Sequence, residues 1–199
     1  MSKLVHGIGF NDRKYPAEVG DKPQNEYNTW QRMLERCTEK CWVKHPTYIG
    51  TACSNNFKSY SYFYEWCQEQ KGFENKDDWG RYWQLDKDLL AKGNKVYSED
   101  TCVFVPQRIN SLLTNSGASR GEYPIGVYWH KASSKFSAVC SHGYSNRKYL
   151  GLFPTIEEAF STYKTFKEAL IKQVANKHKH QLDVRVYNAL MNYEVNIND

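Results

Sequence analysis

The stretch Gln84–Leu113 carries Asp86, Asp88, Asn94, Asp100 and Asn110, five side chains whose oxygens could serve one site. The stretch reads as a strand (Trp83–Asp86), a Gly93-Asn94 turn, a second strand (Cys102–Val105) and a helix opened by Pro106 at its first position. That order places the five where one small site could collect them. The same carboxylates and Asn94 are equally suited to capping a long loop. No histidine lies between Gln84 and Leu113; the six are His6, His45, His130, His142, His178 and His180. Lys87 would need a strongly lowered pKa to take a proton, and Asp88 could serve instead.

A second set is Cys37, Cys41, His45 and Cys53, in the order C-x3-C-x3-H-x7-C. Two cysteines at i and i+4 of one helix can share a structural zinc. Cys37 also fits the buried face of that helix as a plain apolar residue. Cys67, Cys102 and Cys140 fall at core positions.

The elements that must position these groups follow from periodicity. Trp30, Met33, Leu34 and Cys37 predict a helix over 28–40, ended by His45-Pro46. Phe57, Tyr60, Phe63, Tyr64 and Cys67 predict a second. Residues 1–24, with five Gly and Pro, read as an extended arm, and 71–79 as a loop. Asn115–Ser119 is small and polar and marks the expected domain boundary. Beyond it come strands at 126–129, 135–140 and 148–153. Thr155 with Glu158 forms a capping-box signature for a helix reaching about Lys177, and a last helix spans 182–193.

The formal charge is +5, and it is uneven. Residues 117–199 hold 11 Lys/Arg against 7 Asp/Glu, and Arg120–Lys148 alone holds 5 against 1; residues 1–116 hold 16 against 15. A clustered positive charge favours a polyanionic partner. Aromatic content of 15% supplies side chains that pack cores and also stack on bases. No apolar run reaches the length of a membrane span, and the N-terminal MSKLVHGIGF is short for a signal segment. Six cysteines without a dense framework imply reduced thiols in a cytoplasm.

The run L-D-K-x-D…G-N…Y-S…C…P…N resembles the phage and mobile-element HNH endonucleases of the beta-beta-alpha-metal fold, matching at Leu85, Asp86, Lys87, Gly93, Asn94, Tyr97, Ser98, Cys102, Pro106 and Asn110. The resemblance implies Mg²⁺ or Mn²⁺ held by Asp86 or Asp88 from the first strand, with Asn110 approaching from the helix. Asn94 would fix the loop or orient the base, and Asp100 stands where relatives have Asn. Pro124 to about Lys167 is similar to the DNA-binding domain of plant ethylene-response factors, through Gly126, Val127, Phe136, Ala138, Leu150, Gly151, Phe153, Glu158, Ala159 and Tyr163. There the outer sheet face lies in the major groove, which implies DNA contacts here from Arg120, Tyr128, Lys131, Lys135, Arg147, Lys148 and Tyr149. The relatives' base-reading arginines on the first strand are replaced by Ile125 and Tyr128, which leaves phosphate contact as the expected mode.

These readings give an α+β chain of two domains: an HNH-like module over 1–116 and a three-stranded antiparallel sheet on a helix, with a helical tail, over 117–199. The expected function is a phage-type, metal-dependent DNA endonuclease or nickase acting on double-stranded DNA in the host cytoplasm. The alternative is a non-cutting protein on the same scaffold that binds DNA or a small anionic nucleotide, as a regulator or inhibitor of host defence. A module that binds a host protein through its aromatic surface is a third reading.

Overall fold

The computed structural model describes residues 4–114, 121–142 and 146–199. The chain is mixed α+β and divides into two compact units, Met1–Val105 and Pro106–Asp199. The division falls ahead of the polar 115–119 stretch, which lies outside the described residues.

The first unit is organised by aromatic packing. Helix α1 (Asn25–Arg36) follows a two-residue hairpin, β1 (Glu18–Val19) and β2 (Lys22–Pro23), and buries Trp30, Met33 and Leu34. α1 ends earlier than its periodicity predicts, because Thr38 caps a separate helix. Its side chain accepts from the Cys41 backbone N–H at 3.3 Å and starts α2 (Glu39–Lys44). Ser59 caps α3 (Tyr60–Glu69), whose Tyr60, Phe63 and Trp66 close on Trp30 and Phe57. The Trp30 indole donates to the Phe57 carbonyl at 2.7 Å, which satisfies a buried N–H. The N-terminal arm is seated against the same core. Gly9 is buried where a Cβ would stand 2.3 Å from Leu34 and 2.6 Å from Trp30, so no larger residue fits.

Two short pairings complete this unit. β3 (Ala52–Cys53) runs parallel to β5 (Val96–Tyr97), a long-range pairing that alternation over two residues cannot announce. β4 (Gln84–Asp86) pairs antiparallel with β6 (Val103–Val105), with Leu85 opposite Phe104. Pro106 caps rather than opens the helix that follows, α4 (Gln107–Leu113), which is grouped with the second unit.

The second unit holds a three-stranded antiparallel sheet, β7 (Val127–His130), β8 (Lys135–Ser141) and β9 (Arg147–Phe153), in the order 7-8-9. Helix α5 (Ile156–His178) packs on it, its Thr155 side chain accepting from the Glu158 N–H at 3.2 Å. Gly126 has φ +79°, and a Cβ there would meet the Tyr163 ring at 2.1 Å. Asp183 caps the last helix, α6 (Val184–Met191), by accepting from the Arg185 N–H.

A bulge controls which side chains leave the sheet outward. Pairing runs Ala138 to Gly151, then slips so that Val139 faces Tyr149, Cys140 faces Lys148 and Ser141 faces Arg147. Leu150 is the extra residue. Buried Ala138 and Cys140 mark the helix side, so Tyr149 and Arg147 turn outward with Val139 and Ser141.

Candidate functional site

Asp86 ends β4 with its carboxylate folded back on the chain. Its Oδ1 accepts the backbone N–H of Asp88 at 2.9 Å and of Leu89 at 2.7 Å. Burial, with the Asp88 charge beside it, pushes this carboxyl up to about 6, against the pull of the two N–H groups. The ionised form of Asp86 is therefore disfavoured at neutral pH, by burial first and by the Asp88 charge second, a feature more frequent at functional sites than elsewhere. Among the described residues, no group of three or more His, Cys, Asp or Glu side chains gathers as a metal cage.

Lys87 sits beneath this pair rather than before it. It is 7% exposed; its Nζ donates to the Asn94 carbonyl at 2.9 Å and lies 3.3 Å from Asp88 Oδ2. It also lies over the Tyr97 ring at 5.8 Å, and the Tyr97 hydroxyl accepts from Arg36 at 3.2 Å. Asn94 is saturated as well. Its Nδ2 donates to Lys87 O and Val96 O, and its Oδ1 accepts the Val96 N–H. Gly93, at φ +82°, makes the turn that lets Asn94 reach back. The loop is thus closed by its own side chains, and both Lys87 and Asn94 serve as clamps.

The structure brings together Asp86, Lys87, Asp88 and Asn94. Asp100 is exposed in the turn before β6. Asn110 belongs to α4 in the second unit, where its buried Oδ1 has no hydrogen-bond partner among the described residues. Carboxylate oxygens are the donors a hard cation such as Mg²⁺ or Mn²⁺ takes, and Asp86 and Asp88 are of that kind.

The zinc expectation meets a different arrangement. The helix break at Thr38 puts Cys37 and Cys41 on either side of a cap, so the i, i+4 geometry on one helix is lost. The buried Cys41 sits on α2, and His45 stacks edge-on to Tyr48. The Cys37 thiol instead donates to the Met33 carbonyl at 3.3 Å, with the Cys53 thiol as its neighbour. The Cys53 neighbour first and burial second push the Cys37 thiol up, while Cys37 and then Lys58 pull Cys53 down against its burial.

On the sheet, Tyr128 and Tyr149 are 49% and 58% exposed. Lys131, Lys135 and Arg147 are exposed and have no ion-pair partner among the described residues. Lys148 departs from expectation: it pairs opposite Cys140 and places its Nζ 5.0 Å from the Phe166 ring on α5. The bulge is the reason. Arg120 lies outside the described residues. Trp129, 44% exposed at the β7 edge and packed on Phe136, is an aromatic the sequence reading passed over.

No family model, curated protein or solved structure matches this chain. Among the described residues, no helix is long and apolar enough to cross a membrane.

Proposed function

We propose that the chain is a DNA-binding protein that nicks or cuts DNA with a divalent cation at Asp86, as its resemblance to the HNH endonucleases implies. The supporting observation is Asp86 itself: a carboxylate at the end of the first strand of a strand–strand–helix run, pushed up to about 6 by burial and by Asp88. A cation bound there would relieve that repulsion, stabilise charge on the leaving oxygen and acidify a water. Asp86 and Asp88 would hold it. Lys87 has no part as a base, because its Nζ is buried and committed to the Asn94 carbonyl. DNA would lie on the outer sheet face, where Lys135 and Arg147 meet phosphates and Tyr128 and Tyr149 offer rings.

One observation favours a second reading, a binder that does not cut: the residue between the two carboxylates is a structural lysine, so no ordinary base stands at the loop. A plasmid nicking assay with Mg²⁺ and Mn²⁺, run beside a binding assay on the same preparation, separates the two. Nicking that needs the ion and is lost in Asp86→Ala supports the enzyme. Tight binding without nicking under either ion leaves the binder.

A further inference from the structure

A groove in the first unit takes no part in the function proposed above. A cleft of about 340 Å³ lies between α1 and the segment entering β4, lined by Asn28, Thr29, Arg32, Arg36, Arg81 and Tyr82 among others. It is continuous, through Asn25, Asn28 and Tyr82, with a wider depression of about 700 Å³ that adds Lys22 and Lys76. The α1 residues form one stripe at helical spacing, opposite the face that buries Trp30, Met33 and Leu34.

We propose that this groove holds the phosphodiester backbone of a single nucleic-acid strand, an inference that rests on the DNA reading and adds a second contact surface to it. The three guanidiniums are arranged for anions in different ways. Arg36 is fixed by the Tyr97 hydroxyl and by the Tyr48 ring 5.4 Å away, which orients its fork before a ligand arrives. Arg81 is fixed by Asp77 at 2.7 Å and lies over the Trp79 ring at 4.9 Å. Arg32 is exposed and has no hydrogen bond or ion pair among the described residues, so its donors are available to a phosphate.

The aromatic content points to a strand rather than a free ion. Tyr82, 41% exposed, lines both parts of the groove with Lys76 Nζ 4.6 Å above its ring, and Trp79, 55% exposed, lies under the lining Arg81. Rings interleaved with basic groups along a groove are the platform that unpaired bases stack on. Two carboxylates line the wider end, Glu26 and Glu74. Glu26 is buried and its carboxylate accepts from Gln68 Nε2, which partly matches that charge from within the fold. A bare phosphate would fill only part of this volume, whereas a nucleotide chain would follow its length. The floor runs along β4 as far as Leu85, one residue short of Asp86.

The test uses the full chain, a short fluorescent single-stranded DNA, its duplex form, and inorganic phosphate as competitor, by anisotropy over a salt series. Arg32→Glu, checked by circular dichroism for unchanged fold, should weaken single-strand binding about tenfold and flatten the log–log salt slope by about one. Arg32→Lys should keep most of the affinity. Arg147→Ala on the sheet is the comparator. If Arg32→Glu binds the single strand as wild type while Arg147→Ala does not, the groove proposal is overturned and the DNA reading stands. If Arg32→Glu changes only the competition by inorganic phosphate, the groove is a free-anion site and the proposal also fails. Wild type that binds no DNA sinks both. Binding through Arg32 without nicking under any ion upholds the groove and refutes cutting.

Discussion

The Asp86 loop and the outer face of β7–β9 solve opposite problems with similar residues. In the loop, Lys87 is buried and Asn94 is saturated by three internal bonds, yet burial and the Asp88 charge leave ionised Asp86 disfavoured despite its two N–H donors. On the sheet, Lys135 and Arg147 stand in solvent with no ion pair among the described residues, and Tyr128 and Tyr149 are half exposed. The loop fixes geometry and stores strain in one group. The sheet leaves its cations unmatched, at little cost in water, for a partner to match. Rigid placement suits chemistry on a single phosphate, whereas an open face suits many weak phosphate contacts.

Three perturbations break or sharpen that contrast. The largest acts on the sheet's support. Gly126→Ala forces a Cβ into the Tyr163 ring at positive φ and should cost about 3 kcal/mol or more. Hydrogen exchange should then accelerate in β7–β9 and α5 while β4 and β6 keep their protection; equal loss in both units would mean that the sheet and the loop share one cooperative fold.

Next is Asp86→Asn. The folded carboxyl is raised from an ordinary value near 4 to about 6, so the wild-type chain loses stability as pH climbs through that window and carries the full penalty above it. Asn keeps an oxygen for the Asp88 and Leu89 N–H groups and removes the charge. It should stabilise by about 2 kcal/mol at pH 7.5 and by nearly nothing at pH 4, from roughly 1.4 kcal/mol per pKa unit, discounted for the coupling to Asp88. Denaturation at the two pH values decides it. A variant less stable than wild type at pH 7.5 would show that the carboxylate is already compensated, and Asp86 would lose its standing as a cation site. Nicking, if wild type has it, should vanish in the same variant.

The smallest effect is on binding. Lys135→Ala with Arg147→Ala should lower the salt slope by about two and weaken all DNA sequences alike, with melting within about 0.5 kcal/mol of wild type. Unchanged affinity would remove the outer face from the DNA-binding account.

Much of the second unit was legible because its signals are local. Thr155 and Glu158 announce the start of α5, and alternation along 135–140 announces β8. The first unit was less so. The buried face of α1 was readable from Trp30, Met33 and Leu34, but its end was not, since Thr38 reads as an ordinary polar residue until it caps α2. The parallel pairing of β3 with β5 joins two-residue strands more than forty positions apart. At the candidate site, the sequence singled out Asp86, Asp88, Lys87 and Asn94 as neighbours. It could not say that Lys87 is buried, a fact set by Tyr97 and the Asn94 carbonyl. Arg32 and Arg36 lie off the apolar stripe of α1, and nothing in their spacing marks a site. Their groove appears once the chain before β4 is laid across them.

The bulge at Leu150 has a consequence for how this surface can change over generations. Face assignment along β9 is counted from the slip between Ala138 and Val139, so losing the Leu150 codon would leave a regular ladder with Tyr149 still opposite Val139 and Arg147 still opposite Ser141. Straightening the strand with Leu150 retained would instead turn Arg147 and Tyr149 toward α5 and Lys148 outward. A lineage could thus trade one set of exposed groups for another by gaining or losing the slip, without replacing a single amino acid on β9. Any comparison of such sheets must therefore align strands by pairing partner, because matching letters in a row can conceal opposite faces.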